Sequence, residues 1–412
     1  MRAFRWPGGG IVLPPCPKTS RPFWTRPPVS GRPLLSRASA PIASMSSSRR
    51  VDVIIVNYRS SADTLQAVQS LMPWRFGTLW LVDNSDDPVE TGTLAHGIRQ
   101  MPWARLLLPG KNLGFGRGCN LAFTESSAPY CLLLNPDALL SPRDLETLVD
   151  ALEADPRLAA VAPRTFWDRD HRFLLPPAFP QSPLAEISLA LASRYPRLCR
   201  TAFRLYLSRM QRQMASPRPV ETPFLAGALL LLRREAVLAT GSLFDPDYFM
   251  FYEDTDLAWR LRQTGYRLAV VPAATAVHEY RHKLLKAPLM AQTRMIYFRK
   301  RHPLFHRWTR QLALLERLRQ PLHWEEWGDC LDASISDAAE LDAHLDGAHI
   351  VAWSPSPMMI PAAFRPLSAS AVSFTPEDWQ LLEPGRYMLA LAHPALPGKL
   401  RYLSFERAAG SG

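Results

Sequence analysis

The chain has 412 residues, of which 47% are hydrophobic and 21% are charged, as is typical of a globular protein with one or two domains. Its formal net charge of +11 arises in the first fifty residues and a mildly basic middle, because residues 316–412 carry 13 acidic and 7 basic side chains. That acidic end argues against nucleic acid as the ligand of the whole molecule. No apolar run approaches the ~20 residues that a membrane-spanning helix needs.

The five cysteines are scattered and form no CxxC pair. This spacing predicts neither a disulfide framework nor a zinc site and favours a protein of the reducing cytoplasm. The cysteines are Cys16, Cys119, Cys131, Cys199 and Cys330.

Residues 1–50 are rich in Pro, Arg and Ser and contain no acidic residue. One interpretation is a transit peptide, which shares that composition. Repeated prolines and the Gly8–Gly10 triplet disfavour an amphipathic helix, however. We therefore favour a disordered basic leader, or sequence translated from upstream of a true start near Met45.

From Val51 onwards the pattern alternates between strands and helices. Short apolar runs predict strands at 51–56, 78–82, 105–108 and 130–134, with helices after Ser61 and Ser141. This alternation predicts an α/β fold with a mostly parallel central sheet flanked by helices. Ligands of such sheets bind at the carboxyl ends of the strands.

Residues 171–222 interrupt this rhythm. Within them, segment 184–214 interleaves six arginines with apolar residues. A basic amphipathic segment of this kind can lie on an anionic membrane surface, giving peripheral contact with the inner face of the plasma membrane. The alternative, which we favour, is a helix that packs its apolar stripe on the sheet.

The predicted elements resume with a strand at 224–232, a helix at 253–263 and a strand at 267–271. Beyond residue 303 the pattern weakens to a basic helix at 308–322 and an acidic, Pro-interrupted region. We treat 301–412 as a small C-terminal accessory region of unknown role.

Asn135-Pro136-Asp137 follows a buried apolar strand. A carboxylate there is placed to hold Mg²⁺ or Mn²⁺ beside a diphosphate, because these ions favour oxygen ligands. The alternative is a turn that caps the following helix. His278, at the end of a later strand, is either a structural histidine or a further metal ligand.

Glu253, Asp254 and Asp256 place three acids in four positions, directly after four aromatic or apolar residues. Acids are favoured at a helix N-terminus by the helix dipole, which gives a structural explanation. Three exceed what capping needs, and like charges in an apolar setting raise a carboxyl pKa toward that of a useful base. The glycines of 110–118 can admit phosphates to backbone amides, although the spacing is not GxGxxG.

Together these motifs resemble the family 2 inverting glycosyltransferases, particularly the rhamnosyltransferase-like branch. The resemblance covers about 51–300 and implies a GT-A fold for that region. The matching segments, in order, are 53–58, 81–85, 111–115, 132–137, 224–234, 249–260 and the strand that ends at His278.

The resemblance also implies a nucleotide-diphosphate-sugar donor, a divalent cation (Mg²⁺ or Mn²⁺) and a role for each matched residue. It implies that Asp254, aided by Glu253, is the catalytic base and that Asp137 and His278 bind the metal. Asp256 and Arg260 lie near the acceptor or form a structural ion pair. The donor-binding positions are Asn57, Tyr58, Asp83, Asn112, Asn120 and Asn135, the last replacing the aspartate of many relatives.

We therefore expect inverting transfer of a hexosyl group to a glycan or lipid-linked saccharide acceptor in cell-surface polysaccharide synthesis. At the level of the branch, the expected donor is dTDP-rhamnose. One alternative is a non-catalytic protein that binds sugar nucleotides or glycans. A second is a nucleotidyltransferase, which ought to carry a basic phosphate-binding loop early in the chain.

Overall fold

A computed structural model describes residues 50–176, 181–279, 286–308, 324–365, 373–393 and 399–408. All but the last residue of the predicted leader, and almost all of the predicted basic helix at 308–322, lie outside these residues. Among the described helices, none combines the length and the apolar character needed to cross a bilayer.

The first part of the chain forms a nine-stranded sheet among the described residues. The order is β3-β2-β1-β4-β8-β6-β9-β5, with β7 paired to β9, and six strands run in one direction while β5, β7 and β8 oppose them. The predicted mostly parallel sheet is therefore confirmed. The strands are β1 (Val51–Asn57), β2 (Leu79–Asp83), β3 (Ala104–Leu107), β4 (Tyr130–Leu134), β5 (Ala138–Leu140), β6 (Leu158–Phe166), β7 (Val220–Glu221), β8 (Leu229–Arg233) and β9 (Arg267–His278).

Helices cover both faces of this sheet, because alternate residues of its buried strands point to opposite sides. Side chains of α1, α2 and α4 pack on one face, and those of α3, α6, α7 and α8 pack on the other. The helices are α1 (Ser61–Ser70), α2 (Pro88–Ile98), α3 (Phe115–Glu125), α4 (Pro142–Ala154), α5 (Pro183–Ala192), α6 (Pro196–Met214), α7 (Arg234–Ala239), α8 (Glu253–Gln263) and α9 (Lys286–Arg301).

Two predicted strands differ from the observed ones. The run at 224–232 is a strand only from Leu229, because 224–228 form a loop. The strand predicted to end at 271 continues to His278: a register shift opposite Pro163 lets Pro272, which has no N–H to donate, pass through the sheet.

The C-terminal part contains a second sheet, which the sequence pattern did not reveal. Its order is β10-β14-β13-β11-β12, and its pairs are antiparallel except for β10 with β14. The elements are β10 (Asp329–Ile335), α10 (Ala338–Ala343), β11 (His349–Ser354), β12 (Ala363–Phe364), α11 (Pro376–Leu381), β13 (Gly385–Ala392) and β14 (Leu400–Arg407).

Helix α6 lies between the two sheets. Its buried face, which includes Phe203 and Met210, belongs to a core cluster with residues from both. The rings of Phe203 and Tyr402 are 6.2 Å apart, and the Cys199 thiol donates to the carbonyl of Met358. The packing interpretation of this segment is thus confirmed for one face of α6, which rests on the second sheet as well as the first.

Buried ion pairs also join the two sheets. Arg172 donates to Asp168, its Nε lying 3.1 Å from Oδ2, and to both carboxylate oxygens of Asp378 at 2.7 Å. Asp168 and Asp378 are buried. We call Asp168, Arg172 and Asp378 the inter-sheet clamp. A buried carboxylate keeps its charge at low cost only when a cation and hydrogen bonds accompany it, and Arg172 serves both acids.

Candidate active site

The ends of β1 and β2 carry Asn57 and Asp83, which face each other in the strand register. Asn57 Nδ2 donates to Asp83 Oδ1 and to Ser85 Oγ, both at 3.0 Å. Both residues are buried, Asn57 completely. The sequence correctly placed both residues at the carboxyl ends of the strands. Their side chains are buried below the surface of this edge, and they support it through hydrogen bonds to neighbouring residues.

Glu90, which the sequence reasoning missed, completes this network. It accepts hydrogen bonds from Asn57 Nδ2 at 3.1 Å and from the amide and hydroxyl of Ser61. It therefore ties the end of β1 and the start of α1 to α2. The available signal was Asp87-Pro88, a helix start that puts Glu90 in the first turn of α2.

Asp83 remains a carboxylate in this network. Burial alone raises its pKa, but hydrogen bonds from Thr91, Ser85 and Asn57 outweigh burial and leave the pKa below its ordinary value. Tyr58, the next predicted donor residue, is instead 47% exposed, with the guanidinium of Arg59 over its ring. Tyr58 is thus a flat, accessible surface at the same edge.

Asn135-Pro136-Asp137 forms a turn, but it does not cap a helix. The amide of Ala138 donates to the carbonyl of Asn135 at 3.1 Å, and the turn leads into β5. The cap of α4 is Ser141, whose hydroxyl accepts from the amide of Asp144. The capping interpretation is therefore wrong, because three residues of strand separate the turn from the helix.

The turn instead meets the end of β9. Ala138 pairs with His278 across the β5–β9 ladder, and the amide of Glu279 donates to the carbonyl of Asp137. As a result Asp137 Oδ1 and His278 Nε2 lie 3.3 Å apart. Two side chains that are 141 positions apart in the sequence thus meet at one edge of the sheet.

This pair was the predicted metal site. Among the described residues no group of three or more His, Cys, Asp or Glu side chains gathers as a potential metal site. One carboxylate and one imidazole nevertheless suit Mg²⁺ or Mn²⁺, because such ions usually keep several positions for substrate phosphates and water. These two side chains therefore suit a cation that is coordinated partly by the protein and partly by the oxygens of a diphosphate.

Asp254 stands in the first turn of α8 and is partly buried. The amide of Gly227 donates to its Oδ2 at 2.9 Å, and the amide of Thr255 donates to its Oδ1 at 2.6 Å. Burial raises the pKa of Asp254, whereas these hydrogen bonds lower it, and the pKa lies above its ordinary value. An accessible carboxyl with a raised pKa suits a general base.

Asp254 and the Asn135 turn each hydrogen-bond one of two adjacent residues, Gly227 and Ala228. While the amide of Gly227 reaches Asp254, the carbonyl of the adjacent Ala228 accepts from the amide of Asn135 at 2.7 Å. A Cβ at Gly227 would lie 3.3 Å from the Cβ of Asp254. The glycine therefore allows a close approach between the two halves of the site.

Glu253, predicted to share the catalytic role, does not face the cleft. Its side chain is only 5% exposed and packs against α3, where a Cβ on Gly116 would lie 3.6 Å from its own Cβ. Its Oε2 has no hydrogen-bond partner among the described residues. Burial, and then the charge of Asp254, raises the pKa of Glu253 well above its ordinary value. Its expected contact with reactants is thus not supported.

Asp256 and Arg260 form a structural ion pair. Asp256 is fully buried and lies 2.8 Å from Arg260 Nε, and Arg301 of α9 and the hydroxyl of Tyr248 also contact it. The buried contacts of Asp256 favour the structural alternative, the ion pair within α8. Its further contact with Arg301 joins α8 to α9.

Two consecutive aromatic residues before α8 have left-handed backbones, Phe251 with φ 68° and Tyr252 with φ 67°. Each costs roughly 1–2 kcal/mol outside glycine. The Tyr252 hydroxyl donates to Gln181 at 3.2 Å, and its ring contacts that of Tyr297. This strained turn sets the direction of the first turn of α8, and with it the position of Asp254.

The glycine-rich segment does not present open amides to a phosphate at its helix start. The amide of Phe115 donates to the carbonyl of Phe249 at 2.9 Å. Gly114 has φ 81°, and a Cβ there would lie 2.2 Å from the same carbonyl. Gly114 is thus needed for contact between α3 and the loop before α8.

Asn112 and Asn120 differ in their availability. Asn112 is exposed, and its Oδ1 accepts from the amide of Gly114. Asn120 uses both ends of its carboxamide on the backbone of Phe244, at 2.8 Å each. Asn120 therefore holds the loop that leads to α8, whereas Asn112 lies exposed at the surface before α3.

Comparisons with known proteins show the family of the chain. A family model described as "Glycosyltransferase like family 2" matches residues 37–297. The chain is also 31% identical over 219 residues to the N-acetylglucosaminyl-diphospho-decaprenol L-rhamnosyltransferases of two Mycobacterium tuberculosis strains, CDC 1551 / Oshkosh and ATCC 25618 / H37Rv. That alignment covers 50% of this chain and 68% of each relative.

Distant likenesses exist among solved structures. The mannosyltransferase PcManGT from Pyrobaculum calidifontis, in complex with GDP-Man and Mn²⁺, gives a TM-score of 0.41 at 18% identity. GalNAc-T7 with UDP, GalNAc and Mn²⁺ gives a TM-score of 0.41 at 15% identity. The match covers 61% of this chain and 63% of the first structure, and 56% and 44% for the second.

Proposed function

The chain belongs to the glycosyltransferase-like family 2, and on that premise we propose that it transfers a hexosyl group, with inversion, from a nucleotide-diphosphate sugar to a saccharide acceptor. Rhamnose from a dTDP donor is the favoured sugar, because the 31% identical relatives are named as rhamnosyltransferases. The acceptor is a glycan or a lipid-linked saccharide, and the process is the synthesis of a cell-surface polysaccharide in the cytoplasm.

The observation that carries this proposal is the pair of adjacent residues Gly227 and Ala228. The amide of Gly227 donates to Asp254, and the carbonyl of Ala228 accepts from the amide of Asn135. A transferase must hold an acceptor hydroxyl beside a base and a diphosphate beside its binding groups. Two adjacent residues of one loop thus contact both halves of the proposed site.

Asp254 is the proposed base. As the acceptor oxygen attacks the anomeric carbon, its proton moves to the carboxylate of Asp254, while the bond between that carbon and the diphosphate oxygen breaks. The sugar passes through an oxocarbenium-like transition state, as in glycoside hydrolysis. The raised pKa makes Asp254 a stronger proton acceptor than an ordinary aspartate.

Asp137 and His278 are the proposed protein ligands of a divalent cation. A cation bound there would offset the charge that develops on the leaving diphosphate. Asn135 adds a neutral amide at the same turn, so Asp137 supplies the carboxylate of the motif. At the donor's nucleoside end, the exposed Tyr58 and Asn112 provide direct contacts, whereas Asn57 and Asp83 support the edge from below.

A donor panel tests the function. The full-length protein is incubated with dTDP-rhamnose and other sugar nucleotides, with and without candidate acceptors, and release of nucleoside diphosphate is measured. We expect release to require an acceptor and to stop in EDTA, and Asp137→Ala not to recover at ordinary metal levels. Full turnover in the presence of chelator contradicts the metal assignment.

Two further outcomes separate the rival functions. A non-catalytic binding protein would retain the donor and release no nucleoside diphosphate with any acceptor. A nucleotidyltransferase would release pyrophosphate from a nucleoside triphosphate. Either result rejects the proposed transfer.

A further inference from the structure

Helix α5 is largely apolar, yet almost none of it is buried. Of its ten residues, all of them described, only Ala192 is buried. Leu184 is 75% exposed, and Ile187 and Leu191 are exposed on the same side at helical spacing. Exposed rows of large apolar side chains mark surfaces that bind something.

Helix α6 also carries exposed apolar side chains. There the buried residues Phe203 and Met210 face the core, while Leu198 and Leu205 are exposed on the opposite side of the helix. Helix α6 therefore carries two exposed leucines on the side opposite its buried apolar face, among exposed arginines. We call the six exposed residues Leu184, Ile187, Leu191, Tyr195, Leu198 and Leu205 the exposed stripe.

Positive charge accompanies the exposed stripe. Segment 184–214 contains six arginines and a single acid, Glu186, which is paired with Arg294 of α9. Arg197 and Arg209 are exposed and, by helical geometry, flank Leu198 and Leu205 on either side. Apolar residues flanked by arginines suit an anionic bilayer, whose surface takes up the leucines and whose headgroups attract the guanidinium groups.

The exposed stripe begins next to the proposed base. Ser182 caps α5, and the preceding Gln181 accepts a hydrogen bond from the hydroxyl of Tyr252. Tyr252 is two residues before Asp254. A surface bound along α5 would therefore lie beside the cleft.

We propose that the exposed stripe binds an anionic lipid bilayer and that the acceptor is therefore a lipid-linked saccharide, delivered to Asp254 from that surface. The choice of acceptor rests on the proposed function, but the binding itself does not. The bilayer accounts for both the leucines and the arginines, whereas a second copy of the same stripe would bring like charges together.

The test is sedimentation of the full-length protein with vesicles of two parts phosphatidylcholine to one part phosphatidylglycerol, without donor or acceptor. We expect binding at about 50 mM salt that weakens at about 500 mM, since screening shortens the reach of the arginines. The double variant Leu191→Glu/Leu198→Glu should bind at least about tenfold more weakly, because two leucines no longer enter the bilayer. The double variant Arg197→Glu/Arg209→Glu should lose the part of vesicle binding that depends on salt.

Leu238→Glu is the matched control, since Leu238 is 55% exposed on α7 and lies outside the exposed stripe. Thermal melts confirm that all variants fold. The proposal is overturned if the wild-type protein ignores these vesicles, or if the stripe and control variants bind equally. It is also overturned if light scattering shows a dimer that the stripe variants dissociate, since a second copy is then the partner.

Activity toward a water-soluble acceptor separates the two proposals. If the stripe variants retain it while losing vesicle binding, the bilayer surface is supported independently of the chemistry. If the wild-type protein binds vesicles but releases no nucleoside diphosphate with any donor, the proposed sugar transfer is rejected, whereas bilayer binding by the exposed stripe is still supported.

Discussion

The carboxylates of the cleft and those of the inter-sheet clamp are both buried to some degree, but they have different partners. Asp254 accepts its described hydrogen bonds from the neutral groups of Gly227 and Thr255. Asp168 and Asp378 share the guanidinium of Arg172, although burial still leaves the pKa of Asp378 above its ordinary value. Asp254 can take up a proton without breaking an ion pair, whereas protonating either acid of the clamp would break one.

The largest expected effect is that of Asp254→Asn, which removes the proposed base and keeps the shape of the side chain. We expect the rate of sugar transfer to fall about 10²–10⁴-fold, with donor binding retained. Steady-state kinetics and calorimetric titration of the donor measure the two quantities. Near-native turnover would show that the base lies elsewhere.

Asp256→Asn, two positions after Asp254 in the sequence, is the control for Asp254→Asn. Because Asp256 neutralises Arg260 and Arg301, its loss should lower the melting temperature, in contrast to Asp254→Asn. If the two variants behave alike in both assays, the contrast between cleft and structural carboxylates is wrong.

The next effect is on stability. Arg172→Ala leaves Asp168 and Asp378 buried without their cation, and we expect it to destabilise the fold by about 3–5 kcal/mol. Denaturant unfolding measures this. Arg401→Ala is the matched control, since its pairs with Asp329 and Asp346 are exposed and should contribute no more than about 1 kcal/mol. Equal losses from both variants would show that the clamp is no stronger than a surface pair.

Gly227→Ala should act mainly on rate. The added Cβ, 3.3 Å from the Cβ of Asp254, requires Asp254 or the loop of Gly227 to shift by a few tenths of an ångström. We expect kcat to fall about 10- to 100-fold, as misplacing a catalytic group does. Gly92→Ala, where a Cβ meets no atom within 4 Å, should leave kcat unchanged. An unaltered kcat in Gly227→Ala would show that the close approach of Gly227 to Asp254 is not needed for the reaction.

The smallest effect concerns Glu253→Gln. Folding raises the pKa of Glu253, so the wild-type protein has its full contribution below the pKa of an unfolded glutamate and loses stability as the pH rises toward the folded value. Glutamine does not titrate, so the variant should gain stability relative to the wild type as the pH rises. A gain of about 1 kcal/mol would raise the melting temperature by about 2–4 °C.

Melting curves between about pH 4, near the pKa of an unfolded glutamate, and pH 8 test this. The pH dependence of kcat should keep the position of its acidic limb, since a protonated glutamic acid and a glutamine are both neutral. A large shift of that limb would mean that Glu253 is charged beside Asp254.

The sequence predicted the edge of the site well, because buried parallel strands are short apolar runs whose ends are easily located. Asn57, Asp83 and Asp137 fall at those ends for that reason. The sequence could not show which of Glu253, Asp254 and Asp256 is the base, because all three are acids in the first turn of the same helix. Their different burial depends on the left-handed backbones of Phe251 and Tyr252, which no local pattern predicts.

The second sheet escaped prediction for another physical reason. Some of its strands, such as β13 (Gly385–Ala392), are apolar runs, whereas β10 and β14 interleave charged and apolar residues. Runs of this length fit a strand or a buried helix equally. What makes them a sheet is packing on α6 and on Trp167, residues more than a hundred positions earlier in the chain.

The position of α6 has a consequence for how the molecule unfolds. Because Phe203, Leu207 and Met210 belong to one core cluster with strands of both sheets, each sheet shares part of its core with the other. Separating them would expose apolar surface on both at once, which ties their free energies together. The two sheets therefore form one cooperative folding unit, and damage to the small sheet lowers the population of folded enzyme even though the proposed reacting groups lie elsewhere.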